Sequence, residues 1–434
     1  MARIILIFAK LAILVGGLAP GLVQAAEILV TPTGPVAPHT QLSIRLHGFA
    51  PNAIVELTAS RSYGDPPALF RSTATFRTDG EGNVDLSASA PTSGSYAVAD
   101  SAGLLWSMAR TDEPVTASAS GLVRLEARMD GALAASTQIQ LRAARDDLVI
   151  EPISRFPGAI LVRPAGSRGR LPVIIVLGGS EGGSQSAQEM APRLASHGYA
   201  VLGLPYYSPA RGQPAEFPAL PSSFTDIPIE RLDTVHRYLL TRRDLDPRRI
   251  GLYGISKGAE FSLVAATRYP WLRAVVAIAA TDVVWEGFGP ASLPRGSHSS
   301  FAFNGRPLPF VPYGQLGQGS LREAHDRGRR ANPEAAAHAR IPVEHYEGDL
   351  MVVGAGADRV WPSGAMAQAI AERRAEAGRR TQVLIFPEAG HNLARNPLDP
   401  AVTIVGGTPQ ANAEAQITTW RATIAFLARA LGPN

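Results

Sequence analysis

Ile250-Gly251-Leu252-Tyr253-Gly254-Ile255-Ser256-Lys257-Gly258-Ala259-Glu260 joins a short apolar, β-branched run to Gly-x-Ser-x-Gly and then to a helix-forming run. That order describes a strand turning sharply into a helix with a serine at the tip, a nucleophile elbow. A serine held there takes strained backbone angles while strand and helix pass closely, so the positions two residues to either side call for glycine. Gly254 and Gly258 supply it, which makes Ser256 the candidate nucleophile. A five-residue match by itself also describes an ordinary glycine-containing loop. The surrounding chain decides between the two.

Lysine usage points to the same place. Lysine occurs only at Lys10 and Lys257, and the rest of the 41 basic residues are arginine. Side chains of adjacent residues on an elbow diverge, so Lys257 is not expected to serve Ser256 as base. It is expected instead to hold a structural ion pair with Glu260, three residues on along the same helix face.

Downstream of Asp146, apolar strands alternate with amphipathic helices, which predicts a mostly parallel sheet covered by helices on both faces. The expected strands are 159–163, 173–177, 200–204, 250–253, 274–278, 350–353 and 382–386. Helices are expected at 187–196, 229–240 and 365–376, and from Thr408 as N-cap with Pro409 behind it to about Leu431. Residues 282–347, rich in Gly, Pro and aromatics, read as an insertion near the mouth of the site. Upstream, from Glu27 to Arg145, short alternating segments broken by turns such as Asp79-Gly80-Glu81-Gly82-Asn83 predict an antiparallel, immunoglobulin-like sandwich. The fold class is thus α/β, an α/β-hydrolase domain over 146–434 preceded by an all-β domain over 27–145.

In such a fold the site residues follow the chain order Ser, then Asp or Glu, then His, each beyond the carboxyl end of a strand. Asp358 and His391 occupy those places. Asp282, just after the strand ending at Ile278, is the alternative acid. Of the other histidines, His197, His236, His325 and His338 fall in or beside helices, and His39 and His47 in the sandwich. His298 and His345 are not excluded by position. The expected roles are proton transfer by His391 and orientation of its ring by Asp358. The glycine cluster Gly178 to Gly183 follows a buried strand and matches neither the phosphate loop nor the dinucleotide fingerprint. Backbone N–H groups of Gly179, Ser180 and Glu181, with that of Lys257, are therefore the expected oxyanion donors. Trp285, Phe288, Phe301, Phe303 and Phe310 of the insertion read either as an apolar acyl channel or as ordinary core.

Arg3, Lys10 and the apolar run Leu11 to Val23, closed by Val23-Gln24-Ala25-Ala26, read as a secretory signal peptide over 1–26. The mature protein is then periplasmic or secreted, and the run is shorter than the ~20 residues of a membrane span, so no stable span remains after cleavage. With no cysteine the chain has neither disulfide nor lipid attachment site. The net charge of +4 falls to about +2 without the leader, which excludes nucleic acid as an expected partner. No cofactor or metal is expected, and the oligomeric state is left open.

The chain resembles the type I acyl-CoA thioesterase and bile acid-CoA:amino acid N-acyltransferase family over nearly its whole mature length. The marks are Ser95-Tyr96 with Gly103-Leu-Leu-Trp106-Ser107-Met108, the Gly178 to Gly183 loop, Gly254-Ile-Ser256-Lys257-Gly258-Ala-Glu260, Ile341-Pro-Val-Glu344, Trp361-Pro-Ser363 and Gly390-His391. The resemblance implies that Ser256, Asp358 and His391 act on an acyl thioester. Members that transfer acyl groups to amino acids tend to carry cysteine as nucleophile, so serine here implies water as acceptor. An exported chain departs from a cytosolic coenzyme, which leaves three other readings: an ester hydrolase, an N-acyltransferase or a binding protein without activity.

Overall fold

The computed structural model describes residues 25–38, 40–115, 121–210, 213–289, 297–317 and 319–433. Apart from its last two residues, the expected leader lies outside them.

Eight strands form one sheet: β1 Leu148–Pro152, β2 Ile160–Pro164, β3 Leu171–Leu177, β4 Ala200–Gly203, β5 Leu245–Ile255, β6 Leu272–Ile278, β7 Asp349–Ala355 and β8 Thr381–Phe386. Their spatial order is β1-β2-β4-β3-β5-β6-β7-β8. The pairs β1 with β2 and β2 with β4 are antiparallel, and all others are parallel. Every residue of Leu171–Leu177 is buried, as a central strand covered on both faces requires. The sequence did not announce β1. It lies at the sheet edge with Val149 and Ile150 exposed, so it lacks the apolar alternation that marks a buried strand.

Among the described residues seven α-helices accompany the sheet: α1 Gln185–Ala195, α2 Arg231–Thr241, α3 Lys257–Ala266, α4 Leu321–Ala331, α5 Pro333–His338, α6 Ser363–Glu376 and α7 Pro409–Leu431. Along β3, Val173, Ile175 and Leu177 join the core beneath α2, α3 and α6, whereas Ile174 and Val176 join that beneath α1 and α7. This is the period-two alternation of a strand with helices on both sides. Among the described residues no helix is long and apolar enough to cross a membrane.

The N-terminal part holds two antiparallel sheets. One contains Glu27–Thr31, Ser43–His47 and Val84–Asp85, and the other is built mainly from Ile54–Tyr63, Ala68–Arg77, Leu122–Met129 and Ala132–Gln140. Their inward residues, among them Ile44, Leu46, Leu57, Phe76 and Leu125, share one core that also takes in Leu398 and Ala413 of the C-terminal part. In the turn at 79–83 the Asp79 carboxylate accepts the N–H groups of Glu81 and Asn83, and Gly82 has φ +82°.

The insertion is more ordered than a long loop. It contributes strands Phe301–Phe303 and Arg306–Pro307 and helices α4 and α5. The start of α4 is fixed by a capping box between Ser320 and Glu323, a Ser-x-x-Glu signal readable in the sequence.

Candidate active site

Ser256 stands between β5 and α3 at φ +55°, ψ −118°, a conformation that L residues adopt only when their surroundings enforce it. The surroundings here are backbone. A Cβ on Gly258 would meet the Leu177 carbonyl oxygen at 2.2 Å, and one on Gly254 would meet the Gly258 carbonyl oxygen at 2.2 Å. Ser256 N–H donates to the Ile278 carbonyl at 2.8 Å, locking the turn to β6.

Asp358 follows β7 and His391 follows β8, and the fold brings both to Ser256. His391 Nε2 lies 2.8 Å from Ser256 Oγ, and His391 Nδ1 lies 2.8 Å from Asp358 Oδ2. The same Oδ2 accepts from Ser363 Oγ at 2.6 Å, while Oδ1 accepts from the N–H groups of Val360 and Trp361 at 2.7 and 3.2 Å. A carboxylate so surrounded by donors acts as an acceptor, so Nδ1 carries the imidazole proton and Nε2 is left to receive the serine proton. Trp361 packs edge-on against the His391 ring at 5.1 Å and anchors itself by Nε1–H to the Ala279 carbonyl. The arrangement is suited to moving a proton from a hydroxyl to an imidazole held in one tautomer.

The alternative acid is not available. Asp282 receives a two-pronged pair from Arg329 of α4, at 2.7 and 2.8 Å, and no histidine contacts it among the described residues. The pair ties α4 to the segment that leaves β6. Asp282→Asn is therefore expected to lower the unfolding midpoint with turnover changed less than about tenfold, whereas Asp358→Asn is expected to lower turnover by about 10⁴ through the wrong tautomer. Steady-state assays on both variants check this. His298 pairs with Asp226 at 3.1 Å, and His345 is exposed.

The oxyanion loop needs one correction. Gly179 N–H donates to Glu181 Oε1 at 2.8 Å, and the same carboxylate oxygen accepts from Ser186 Oγ. The Gly179 amide thus braces its own loop, because the Glu181 side chain folds back over it. Lys257, first residue of α3, has no preceding turn of its own helix to accept its N–H.

Lys257 and Glu260 form the expected pair, with Nζ to Oε2 at 2.6 Å and both groups buried. The sequence did not show what they attach. Lys257 Nζ also donates to Ser300 Oγ at 2.6 Å, and Glu260 Oε1 accepts from Trp285 N–H at 2.9 Å. The helix that follows Ser256 and the insertion are therefore stapled by one buried charge pair. Burial holds the Lys257 ammonium below its usual range and the Glu260 carboxyl above its own, and the contact between them opposes both. Phe224 and Phe301 flank Nζ at 5.2 and 5.6 Å. Of the insertion aromatics, Trp285 and Phe301 are fully buried and Phe288, Phe303 and Phe310 pack against the core. For these residues the ordinary-core reading holds.

His325, read from the sequence only as a helix histidine, lies on α4 as expected. It is buried on α4, edge-on to Trp285, Tyr313 and Trp361 at 4.5, 4.9 and 5.6 Å, with Nδ1 against the Leu321 carbonyl at 2.8 Å. Burial pushes its pKa down to about 4. Between that value and the ordinary 6.5, the unfolded chain binds a proton that the native protein refuses, so stability is lost as pH falls through this window. The contribution is about 3 kcal/mol. His325→Leu is expected to flatten the dependence of unfolding free energy on pH between about 6.5 and 4; parallel slopes for the two proteins contradict it.

The chain is similar to known proteins over both of its parts. Residues 227–433 match the family described as BAAT / acyl-CoA thioester hydrolase C terminal, and residues 39–143 match the acyl-CoA thioester hydrolase/BAAT N-terminal region. Residues 158–281 also match the dienelactone hydrolase family. Acyl-coenzyme A thioesterase 6 of Mus musculus is 28% identical over 435 residues, covering 92% of this chain and 95% of the relative. The peroxisomal succinyl-coenzyme A thioesterase of Mus musculus is 28% identical, covering 94% and 98%. The mitochondrial acyl-coenzyme A thioesterase 2 of Homo sapiens is 26% identical, covering 94% and 85%. With both regions matched in order around a dienelactone-hydrolase-like α/β-hydrolase fold, the chain is an enzyme of the BAAT/acyl-CoA thioester hydrolase family.

Proposed function

We propose that the protein hydrolyses acyl thioesters of the acyl-CoA kind through a Ser256–His391–Asp358 triad and an acyl-enzyme intermediate. The observation that carries this reading is the hydrogen-bond chain from Asp358 through His391 to Ser256, two contacts of 2.8 Å ending on a strained strand-to-helix turn. His391 Nε2 takes the hydroxyl proton as Ser256 Oγ bonds to the thioester carbonyl carbon, and Asp358 stabilises the imidazolium formed. The oxyanion faces the Lys257 amide and those of Ser180 and Glu181. Collapse breaks the carbon–sulfur bond, and the imidazolium returns its proton to the departing thiolate. Water, deprotonated by the same histidine, then releases the acid and restores the serine.

The rest of the molecule is read to match. The two N-terminal sheets serve as an immunoglobulin-like sandwich over 27–145, and 146–434 is the catalytic domain. Residues 1–26 are read as an export leader that places the mature protein in the periplasm or outside the cell. That placement favours one second reading, an exported carboxylic ester hydrolase in which an alcohol leaves in place of a thiol. The mature protein should be assayed against acyl-CoAs and p-nitrophenyl esters of graded length, with and without glycine or taurine. Release of free thiol that is unaffected by the amines and lost in Ser256→Ala is the expected result. Ester cleavage alone selects the second reading, N-acyl product selects transfer, and a folded protein that cleaves neither substrate class contradicts both.

A further inference from the structure

His391 stands near the start of a segment, residues 387–408, that contains no helix and no strand of the sheet between β8 and α7. A segment of that length keeps one position only where other parts of the molecule grip it. The stretch from His391 to Val405 closes on itself, because His391 N–H donates to the Val405 carbonyl at 3.2 Å. Helix α7 holds its two ends. Asn412 Oδ1 accepts from Gly390 N–H at 2.8 Å, Asn412 Nδ2 donates to the Val402 and Gly406 carbonyls, and Gln416 Nε2 donates to the Asn392 carbonyl at 2.8 Å. These contacts leave the middle of the loop, 395–401, to be held from elsewhere.

The N-terminal sheets hold it. Arg61 and Tyr63, at the end of the strand Ile54–Tyr63, meet Asp399: Arg61 Nη2 donates to Oδ1 at 2.7 Å and the Tyr63 hydroxyl to Oδ2 at 3.3 Å. Arg395 Nη2 donates to the same hydroxyl at 2.7 Å. Arg61 is only 5% exposed, so the charge pair is largely withdrawn from water and is sensitive to the loss of either partner. Leu398 sits in the apolar core of the N-terminal sheets, and Ala401 N–H donates to the Trp106 carbonyl at 2.9 Å. Trp106 is itself fixed by Nε1–H to Asp100 at 2.7 Å and by the Tyr96 ring, which leaves no room for a Cβ on Gly103. Tyr96, Gly103 and Trp106, marks of the sequence with no part in the chemistry, thus build a platform under the histidine loop.

We infer that the N-terminal sheets position His391: the Arg61–Asp399 pair and the Tyr63 hydroxyl latch its loop so that Nε2 keeps its 2.8 Å contact with Ser256 Oγ. The inference rests on the Ser256–His391–Asp358 triad. Asp358 and Trp361 orient the ring, and the latch holds the backbone that carries it. Proton transfer requires the two heavy atoms at hydrogen-bond distance, and a misplacement of ~1 Å costs about 10²-fold in rate. Arg61, Tyr63 and Asp399 are positioning residues, acting through His391 rather than on substrate.

Arg61→Met and Tyr63→Phe test this, each assayed on the best of the acyl-CoA and p-nitrophenyl ester substrates. Arg61→Met leaves Asp399 two donors, the Tyr63 hydroxyl and Asn396 Nδ2, and Tyr63→Phe carries the test if Arg61→Met fails to fold. The expected result is a fall in kcat of roughly 10- to 100-fold for Arg61→Met and about three- to tenfold for Tyr63→Phe, with KM within about threefold of wild type. Arg61→Lys, which retains the charge, should recover part of kcat. Hydrogen exchange read by mass spectrometry should show peptides from 391–405 exchanging faster in the folded variants while those of the elbow keep their rate. Wild-type kcat in a folded variant, a rise in KM with kcat kept, or loop exchange that is unchanged or raised no more than in the rest of the chain overturns the latch. Wild type without turnover defeats the inference through the triad it rests on, whereas full wild-type turnover beside unaffected variants defeats the latch alone.

Discussion

His391→Ala is expected to lower turnover of acyl thioesters by roughly 10⁴- to 10⁶-fold while the variant still folds. The size follows from the site having one hydrogen-bonded route for the serine proton. No other histidine contacts Ser256 Oγ among the described residues, and His325 sits behind Trp361 with its ring closed in by aromatics. Folding survives because Asp358, though buried, keeps three other donors in the N–H groups of Val360 and Trp361 and the hydroxyl of Ser363. The cost of the lost imidazole contact is therefore about 1–2 kcal/mol rather than that of an abandoned charge. Stopped-flow turnover and circular dichroism on the same preparation check both parts. A loss under tenfold contradicts the assignment of His391 as base.

Glu260→Ala is expected to destabilise the protein by about 3–5 kcal/mol, because the buried Lys257 ammonium then has no carboxylate partner. Its remaining contacts, Ser300 Oγ and the faces of Phe224 and Phe301, do not neutralise it. The Trp285 N–H loses its acceptor in the same step. Adding Lys257→Met should recover a large part of the loss, since an apolar side chain of similar length replaces the stranded charge. Denaturant unfolding of the two single variants and the double variant measures the coupling. If Glu260→Ala costs less than about 1 kcal/mol, or if Lys257→Met adds its own loss on top, the staple between α3 and the insertion is not an energetic unit.

How much of this was legible in the sequence depends on how local the determinant is. The elbow was, because Gly-x-Ser-x-Gly is a local spacing, although the backbone that Gly258 must clear belongs to β3. Asp358 and His391 were, because topology fixes where loops after β7 and β8 must arrive. The Lys257–Glu260 pair was legible as an i,i+3 spacing, but its attachment to Ser300 and Trp285 was not, since those partners are set by how the insertion folds back. The same holds for Asp282. Its position after β6 offers it as an acid, and only the long-range arrival of Arg329 on α4 removes it. Gly179 was misread because an amide's partner depends on a side-chain rotamer, here that of Glu181.

The central claim is that Ser256 is made nucleophilic by its contact with His391, and covalent capture tests it most directly. The mature protein is treated with a fluorophosphonate, its intact mass is read, and the modified peptide is mapped. One adduct per chain on Ser256, absent in Ser256→Ala and slowed by orders of magnitude in His391→Ala, is the predicted result. A folded wild-type protein that takes up no phosphonate, or takes it up elsewhere, contradicts the account.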